Sequence, residues 1–158
     1  MSLGRNLCAG AAALMLAGSA AASDVVRQID VDASPAKVWA AIGEFCGIGT
    51  WHPALEKCEL SNQGGTTLRT LTLKGGGTIV EKLVAWKGKK HSYTYAIVSS
   101  PLPVSNYVST LSVVADGKGS KLRWTGKFTP VGDEAKAKET IGGIYDAGLA
   151  GIAKQAGQ

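Results

Sequence analysis

The sequence predicts an α+β domain in which a curved, seven-stranded antiparallel sheet surrounds a long C-terminal helix, with two short helices after the first strand. Three observations predict this fold. One strand is followed by helical apolar spacing, six segments then alternate with a period of two, and a long amphipathic stretch ends the chain. Six successive strands favour an antiparallel meander, because parallel strands need crossover connections. The length of 158 residues fits one domain.

The N-terminal part of this domain is predicted to be one strand and two short helices. The strand covers Val25–Val31, after which Ser34 is expected to cap a helix and Pro35 to occupy its first turn. Gly47 interrupts the helical pattern, and a second short helix or turn carries Trp51.

Six further strands are separated by turns rich in glycine, asparagine and proline. They are predicted at Leu55–Leu60, Thr66–Lys74, Thr78–Trp86, His91–Ser99, Asn106–Ala115 and Lys121–Thr129. On the third of these strands, Ile79, Glu81, Leu83 and Ala85 share one face, whereas Val80, Lys82, Val84 and Trp86 share the other. Both faces carry apolar groups, so periodicity alone does not say which face is internal.

The last helix is predicted from Asp133 to about Gln155. Its apolar face combines Ala137, Ile141, Ile144, Tyr145, Gly148 and Ile152. A helix with one apolar face buries that face, so we expect it to lie against the concave side of the sheet. Gly148 either allows close contact between helix and sheet or leaves room for a ligand.

Residues 1–22 are predicted to be a secretory signal peptide, which leaves residues 23–158 as the mature domain. Arg5 gives a positive start, residues 7–17 are apolar, and Ala20–Ala22 offers an A-x-A cleavage site. The apolar run is shorter than the ~20 residues that a bilayer span needs. We therefore expect a periplasmic or secreted protein with no stable membrane insertion.

The charge pattern does not favour nucleic-acid binding. Removing residues 1–22 takes away one arginine and no acidic residue, so the net charge falls from +5 to +4. The lysines are scattered and form no basic stripe, and export separates the protein from nucleic acid. A basic surface could instead favour an acidic protein partner.

Two cysteines remain after this cleavage, and in an oxidising compartment Cys46 and Cys58 are expected to form a disulfide. Two alternatives stay open: His52 could activate a catalytic thiol, or the two cysteines could contribute to a zinc site. The spacing matches no zinc motif, and the sequence has no nucleophile–base–orienter order and no phosphate loop. No catalytic residue, metal or cofactor is therefore predicted, and His52 is the best acid–base candidate should the protein be an enzyme.

Several segments resemble the START-like (SRPBCC) superfamily. They are VDASPAKVWAAIGEF, WHPALEKCEL, GTIVEKLVAW, YAIVSSPLPVSNYVSTLSV, GSKLRWTGKF and GIYDAGLAGIAK. Within that superfamily the chain is similar to the polyketide cyclase/dehydrase and lipid-transport type, which includes the plant abscisic-acid receptors. The resemblance covers residues 25–156 and implies a helix-grip fold with an internal cavity for a small hydrophobic, lipid-like or aromatic ligand.

In the receptors, two loops close over the ligand, and the turns Lys74–Thr78 and Ser100–Ser105 occupy their positions here. Neither turn keeps the receptor motif. Glu56 falls where a receptor lysine meets the ligand carboxylate, so the resemblance does not imply binding of that hormone. Glu81, Asn106 and Tyr107 do match the receptor pattern.

The resemblance also places the Glu81 face inside, where Arg69 on the neighbouring strand could pair with the carboxylate. A structural ion pair and a ligand contact are both open for Glu81. The residues expected to bind the ligand are Glu81, Arg69, Leu71, Leu83, Tyr95, Ile97, Pro101, Leu102, Pro103, Tyr107, Trp124, Ile141 and Tyr145.

Three functions are compatible with these features. The first is an exported binding or carrier protein for a small hydrophobic molecule. The second is a cyclase-, dehydratase- or hydrolase-type enzyme that uses Glu81, His52 or Tyr107. The third is an accessory protein of a periplasmic redox enzyme, because the signal and the WHPA segment with its following cysteine also resemble exported accessory proteins of bacterial methanol oxidation.

Overall fold

A seven-stranded antiparallel sheet and a long helix make up most of the computed structural model, which describes residues 21–157. The strands are β1 (Ser23–Val31), β2 (Leu55–Gln63), β3 (Thr66–Leu73), β4 (Thr78–Lys87), β5 (Ser92–Ser99), β6 (Val104–Asp116) and β7 (Gly119–Pro130). The helices are α1 (Pro35–Ile42), α2 (Ile48–Trp51) and α3 (Glu134–Ala156), and a 3-10 turn covers Gly88–Lys90. The predicted α+β helix-grip fold is confirmed. The predicted signal peptide falls almost entirely outside the described residues and stays a prediction.

The strand order in the sheet is β1-β7-β6-β5-β4-β3-β2, and all neighbours are antiparallel. The six strands β2 to β7 form a meander, and β1 returns to pair with the last of them. Helix α3 packs against β1 and β7 and also contacts α1 and α2. None of the helices within residues 21–157 combines the length and apolar character of a membrane span.

Helices α1 and α3 each begin at a residue whose side chain caps the helix N-terminus. The Ser34 hydroxyl accepts a hydrogen bond from the Lys37 backbone N–H at the start of α1. Asp133 does the same for the Lys136 N–H at the start of α3. Helix α1 ends at Gly43, whose φ of 71° favours glycine.

The glycines of the core bring helix α3 and the sheet into close contact. A Cβ atom at Gly148 would lie 2.5 Å from Cζ3 of Trp124 and 2.9 Å from Cδ2 of His52. Close packing therefore accounts for Gly148, and this glycine does not line a cavity. In β7, a Cβ atom at Gly126 would collide with the hydroxyl of Tyr145, so this glycine makes room for a polar group of α3.

Strand β4 departs from the predicted alternation near its end. The pairing with β5 shifts between Leu83 and Ala85, so Trp86 pairs with Tyr93 and stacks on its ring at 5.3 Å. Ala85 pairs with Thr94 on the outer side of the sheet. The predicted faces of Ala85 and Trp86 are therefore wrong, because a bulge inverts the side-chain alternation beyond it.

Cys46 and Cys58 form the expected disulfide. It ties the connection between α1 and α2 to strand β2. With both sulfur atoms bonded to each other, neither the catalytic thiol nor the zinc site that the sequence left open is present.

Candidate ligand-binding cavity

A cavity of about 310 Å³ lies between the concave face of the sheet and helix α3. Aliphatic and aromatic side chains make up nearly all of its wall. Eight residues of the predicted ligand-binding set line it: Leu71, Glu81, Tyr95, Ile97, Leu102, Tyr107, Trp124 and Ile141. Such a wall, apolar with a few polar groups, is typical of sites for small molecules.

The mouth of the cavity lies between the β3–β4 turn and the β5–β6 loop. Gly75 and Gly76 border it from one side and Leu102 from the other. A Cβ atom at Gly77 would lie 3.8 Å from Cγ of Pro101, so the two loops are in contact beside the mouth. The carbonyl oxygen of Pro103 accepts a hydrogen bond from the backbone N–H of Val131 (2.9 Å), which anchors the second loop.

A buried ion pair joins β3 and β4 at the cavity wall. Arg69 and Glu81 are direct partners in the antiparallel register, and Nε of Arg69 donates to Oε2 of Glu81 over 2.6 Å. Nη1 of Arg69 donates to the carbonyl oxygen of Phe45 over 2.5 Å. The guanidinium carbon lies 4.1 Å from the ring centre of Phe45 and 4.9 Å from that of Tyr95. Arg69 is 0% exposed and lies behind the wall of the cavity.

The two carboxylate oxygens of Glu81 differ in their surroundings. Oε2 is bonded to Arg69, whereas Oε1 receives no hydrogen bond from the residues that the structure describes, and Glu81 itself lines the cavity. Burial raises the pKa of Glu81, and the positive charge of Arg69 opposes that rise. One face of the ion pair is therefore sealed and the other is open to the cavity.

A chain of hydroxyl groups crosses the deep end of the cavity. The hydroxyl of Tyr107 lies 3.3 Å from that of Tyr95 and 2.5 Å from that of Tyr145. The Tyr145 hydroxyl lies 3.0 Å from Oγ of Ser109. Burial raises the pKa of Tyr145 to about 12, and it raises the pKa values of Tyr95 and Tyr107 well above 10, so all three remain protonated at neutral pH.

The series of hydrogen-bonded hydroxyl groups ends at a backbone carbonyl oxygen and at the indole N–H of Trp124. The Ser109 hydroxyl donates to the carbonyl oxygen of Thr125 over 2.7 Å. Nε1 of Trp124 donates to Ser109 over 2.9 Å and to the hydroxyl of Tyr95 over 3.1 Å. Every polar side chain in this cluster is thus hydrogen-bonded within the protein, as buried polar groups require.

His52 lines the cavity with both ring nitrogens engaged. Nδ1 accepts from the backbone N–H of Ala54 (3.3 Å), which assigns the proton to Nε2 for donation to the Ile144 carbonyl (3.0 Å). Burial lowers the pKa of His52 against the opposing effect of that carbonyl, and the charge of Arg69 lowers it further. A neutral imidazole with no free lone pair has no capacity to take a proton from a substrate. The geometry therefore favours a structural role for His52 over the acid–base role.

The family of the chain follows from its sequence. Residues 22–157 match the model of the family described as polyketide cyclase/dehydrase and lipid transport. The chain belongs to this family. No curated protein sequence matches it.

Solved structures of similar chains agree with this membership. XoxI from Bacillus cereus is 33% identical, with 84% of this chain and 94% of that chain covered and a TM-score of 0.78. An uncharacterised protein from Bacillus thuringiensis is 31% identical, with 86% and 100% covered and the same TM-score. The Zhui aromatase/cyclase from Streptomyces sp. R1128 is 17% identical, with 87% and 94% covered and a TM-score of 0.69, and it shares the fold.

Five residues of the predicted ligand-binding set do not line the cavity of this polyketide cyclase/dehydrase-type fold. Arg69 lies behind Glu81, and Pro101 and Pro103 lie in the loop beside the mouth. Tyr145 stacks on Trp124 with ring centres 4.7 Å apart, so only its hydroxyl chain connects it to the cavity. Leu83 is half-buried and packs against the core above the cavity-lining part of β4.

The wall also contains nine residues outside the predicted ligand-binding set, two of which, Gly75 and Gly76, belong to the turn Lys74–Thr78 that was expected to close over the ligand. The nine are Ile48, His52, Ala54, Leu55, Leu73, Gly75, Gly76, Ile79 and Ile144. Ile79 carried a usable signal, since it shares the Glu81 face two positions away. The segment around His52 carried none, because its place on the wall depends on how α2 docks against α3. Within residues 21–157, no group of three His, Cys, Asp or Glu side chains could hold a metal ion.

Proposed function

We propose that this protein is an exported binding or carrier protein for a small, mostly apolar molecule held in the cavity between the sheet and α3. The observation that carries the proposal is the 310 Å³ cavity with an apolar wall and one unsatisfied carboxylate oxygen. Family membership supports it, because the family description names lipid transport. The ligand-binding residues are then the cavity-lining residues, with Glu81 as the polar anchor.

Two of the three candidate acid–base residues, His52 and Tyr107, are unsuited to proton transfer, which leaves Glu81 as the remaining candidate for an enzymatic role. Both nitrogens of His52 are engaged by backbone groups, and the tyrosine hydroxyls bond to one another. A general base needs a free lone pair and a pKa near the working pH, and neither His52 nor Tyr107 meets both conditions. The accessory role toward a periplasmic redox enzyme stays a prediction.

Two measurements test the carrier function. Native mass spectrometry of protein isolated from the periplasm is expected to show a co-purifying small molecule. Fluorescence titration of ligand-stripped protein with the neutral apolar dye N-phenyl-1-naphthylamine is expected to show saturable binding at one site per chain.

A pair of variants on β4 links binding to the cavity. Ile79→Phe fills space on the cavity wall and is expected to weaken dye binding at least tenfold. Val84→Phe on the same strand is the matched control, because Val84 is 55% exposed on the outer face. Equal affinity in the two variants, with both folded in thermal melts, would show that the dye binds elsewhere and would contradict the proposed function.

A further inference from the structure

We propose that the cavity selects neutral molecules with one hydroxyl group, alcohols or phenols, and that this hydroxyl donates a hydrogen bond to Oε1 of Glu81. The proposal rests on the ligand-binding function above and specifies its ligand class. It follows from where each polar hydrogen on the cavity wall already points.

Five side chains with polar atoms line the cavity: His52, Glu81, Tyr95, Tyr107 and Trp124. Four of them have hydrogens to donate. The proton of His52 is directed to the carbonyl oxygen of Ile144, because Nδ1 is occupied by the N–H of Ala54. The indole N–H of Trp124 is shared between Ser109 and Tyr95.

The donor and acceptor roles of the hydrogen-bonded hydroxyl groups are set by the last of them, Ser109, and its partner, the carbonyl of Thr125. The carbonyl of Thr125 can only accept, so Ser109 uses its single hydrogen there, and Tyr145 must donate to Ser109. Tyr107 must then donate to Tyr145, which leaves Tyr95 to donate to Tyr107. Each hydroxyl hydrogen is thereby used inside the protein.

Among the side chains that line the cavity, none therefore has an unused donor; the one buried donor without a partner in residues 21–157, Nη2 of Arg69, lies behind Glu81, and Arg69 is 0% exposed. A ligand carbonyl, ether or carboxylate would enter without a partner and lose its hydration. A ligand hydroxyl can donate to Oε1 of Glu81, which receives no other hydrogen bond from residues 21–157. Arg69 has no other carboxylate partner in the described part of the chain, so Glu81 carries the negative charge that balances Arg69. An ionised carboxylate can only accept hydrogen bonds.

The charges of the pair exclude ionic ligands. Arg69 already balances Glu81, and it is 0% exposed, so a ligand carboxylate would meet Glu81 without reaching Arg69. An ammonium ligand would leave one uncompensated positive charge inside an apolar wall. A neutral hydroxyl avoids both costs. The volume of 310 Å³ is at the lower end of the range for ligand sites, which fits a molecule with one ring or a short chain.

Isothermal titration calorimetry with four matched probes tests this class. The probes are 4-propylphenol, 4-propylanisole, 4-propylbenzylamine and 4-propylbenzoate at pH 7. We expect the phenol to bind at least about tenfold more tightly than its methyl ether, since a hydrogen bond to a charged acceptor has that effect. The amine and the carboxylate are expected to bind more weakly than the ether.

Glu81→Gln keeps the shape and presents an amide in place of the open carboxylate oxygen. The ratio between phenol and ether affinities is expected to fall to about threefold or less. Glu59→Gln is the control, because Glu59 is exposed on β2, and it is expected to keep the wild-type ratio.

The wild-type ranking decides the proposal even if Glu81→Gln does not fold. Equal binding of phenol and ether, or strongest binding of the carboxylate, would overturn the ligand class while leaving the carrier function standing. Failure of all four probes and of the dye to bind would overturn both. A Glu81→Gln variant that folds and keeps the full phenol preference would show that Glu81 is not the acceptor.

Discussion

At the scale of single residues, the contribution of the buried Arg69–Glu81 ion pair to stability depends on the groups that surround it as well as on the attraction between the two charges. Arg69 is held by Glu81, by the carbonyl of Phe45 and by two aromatic rings. Taking both charges out of water costs about as much as their attraction returns. The pair therefore contributes little net stability, whereas the loss of one partner leaves a charge buried alone.

A double-mutant cycle checks this balance. Glu81→Leu alone is expected to lower the free energy of unfolding by ~3–5 kcal/mol, because it leaves Arg69 uncompensated. The double variant Arg69→Met/Glu81→Leu is expected to recover most of that loss. Urea denaturation measures the free energy of unfolding of the wild type, the two single variants and the double variant. A double variant less stable than Glu81→Leu would contradict the interpretation.

His52 gives stability a pH dependence of known sign. Burial holds the folded-state pKa of His52 below its ordinary value of 6.5, so the unfolded chain takes up the proton first as the pH falls. The contribution to stability is complete above about pH 6.5 and is lost as the pH falls from there towards the folded-state pKa.

We therefore expect the melting temperature of the wild type to fall between pH 7 and pH 5 more steeply than that of His52→Gln. The difference between the two proteins isolates His52 from the carboxylates that also titrate at low pH. Parallel pH profiles for wild type and His52→Gln would refute this assignment.

At the scale of secondary-structure elements, the disulfide organises one side of the cavity. Cys46 and Cys58 are separated by 12 positions, and the segment between them contains α2. That segment supplies Ile48, His52 and Leu55 to the cavity wall. The disulfide thus restricts the movement of α2 and its flanking residues, which are not held in place by the hydrogen bonds of the sheet.

Reduction of this disulfide is expected to lower stability by about 3 kcal/mol, mainly through the greater freedom of the unfolded chain. For a domain of this size that corresponds to a fall in melting temperature of roughly 10 °C. Thermal melts with and without dithiothreitol measure the change. The Cys46→Ser/Cys58→Ser variant should melt like the reduced protein and be insensitive to the reductant. Two free thiols in unreduced periplasmic protein would contradict the bond.

Elements were more predictable than contacts, for a physical reason. Period-two alternation and local caps at Ser34 and Asp133 depend on neighbouring residues, so strand and helix positions followed from the sequence. The His52–Ile144 hydrogen bond joins residues 92 positions apart and depends on the docking of α2 on α3. The bulge before Trp86 was equally hidden, because a shift in pairing leaves no mark in the alternation of apolar residues.

At the scale of the whole molecule, β1 begins where the predicted signal peptide ends. Ser23 is the first residue of β1, pairs with Phe128 and is buried. Its hydroxyl donates to Oε1 of Glu134 over 2.6 Å, which joins the start of the sheet to the start of α3. The fold therefore uses the chain from Ser23 onward.

We expect the mature protein to start at Ser23 or Asp24. N-terminal sequencing of protein recovered from the periplasm identifies the first residue. An Arg5→Glu change in the leader is expected to reduce export, because the positive start is lost. Periplasmic protein that still begins at Met1 would rule out cleavage.

The space left by Gly126 has a consequence for how this sequence can change through descent. Any side chain at position 126 collides with the hydroxyl of Tyr145, whereas the ring carbon behind that hydroxyl lies 3.1 Å from the added Cβ. Alanine at 126 therefore requires that the Tyr145 hydroxyl has first been removed, as in a change to phenylalanine, and the ring must still shift slightly to relieve the 3.1 Å contact. The order of the two substitutions is therefore constrained: position 145 in α3 changes before position 126 in β7.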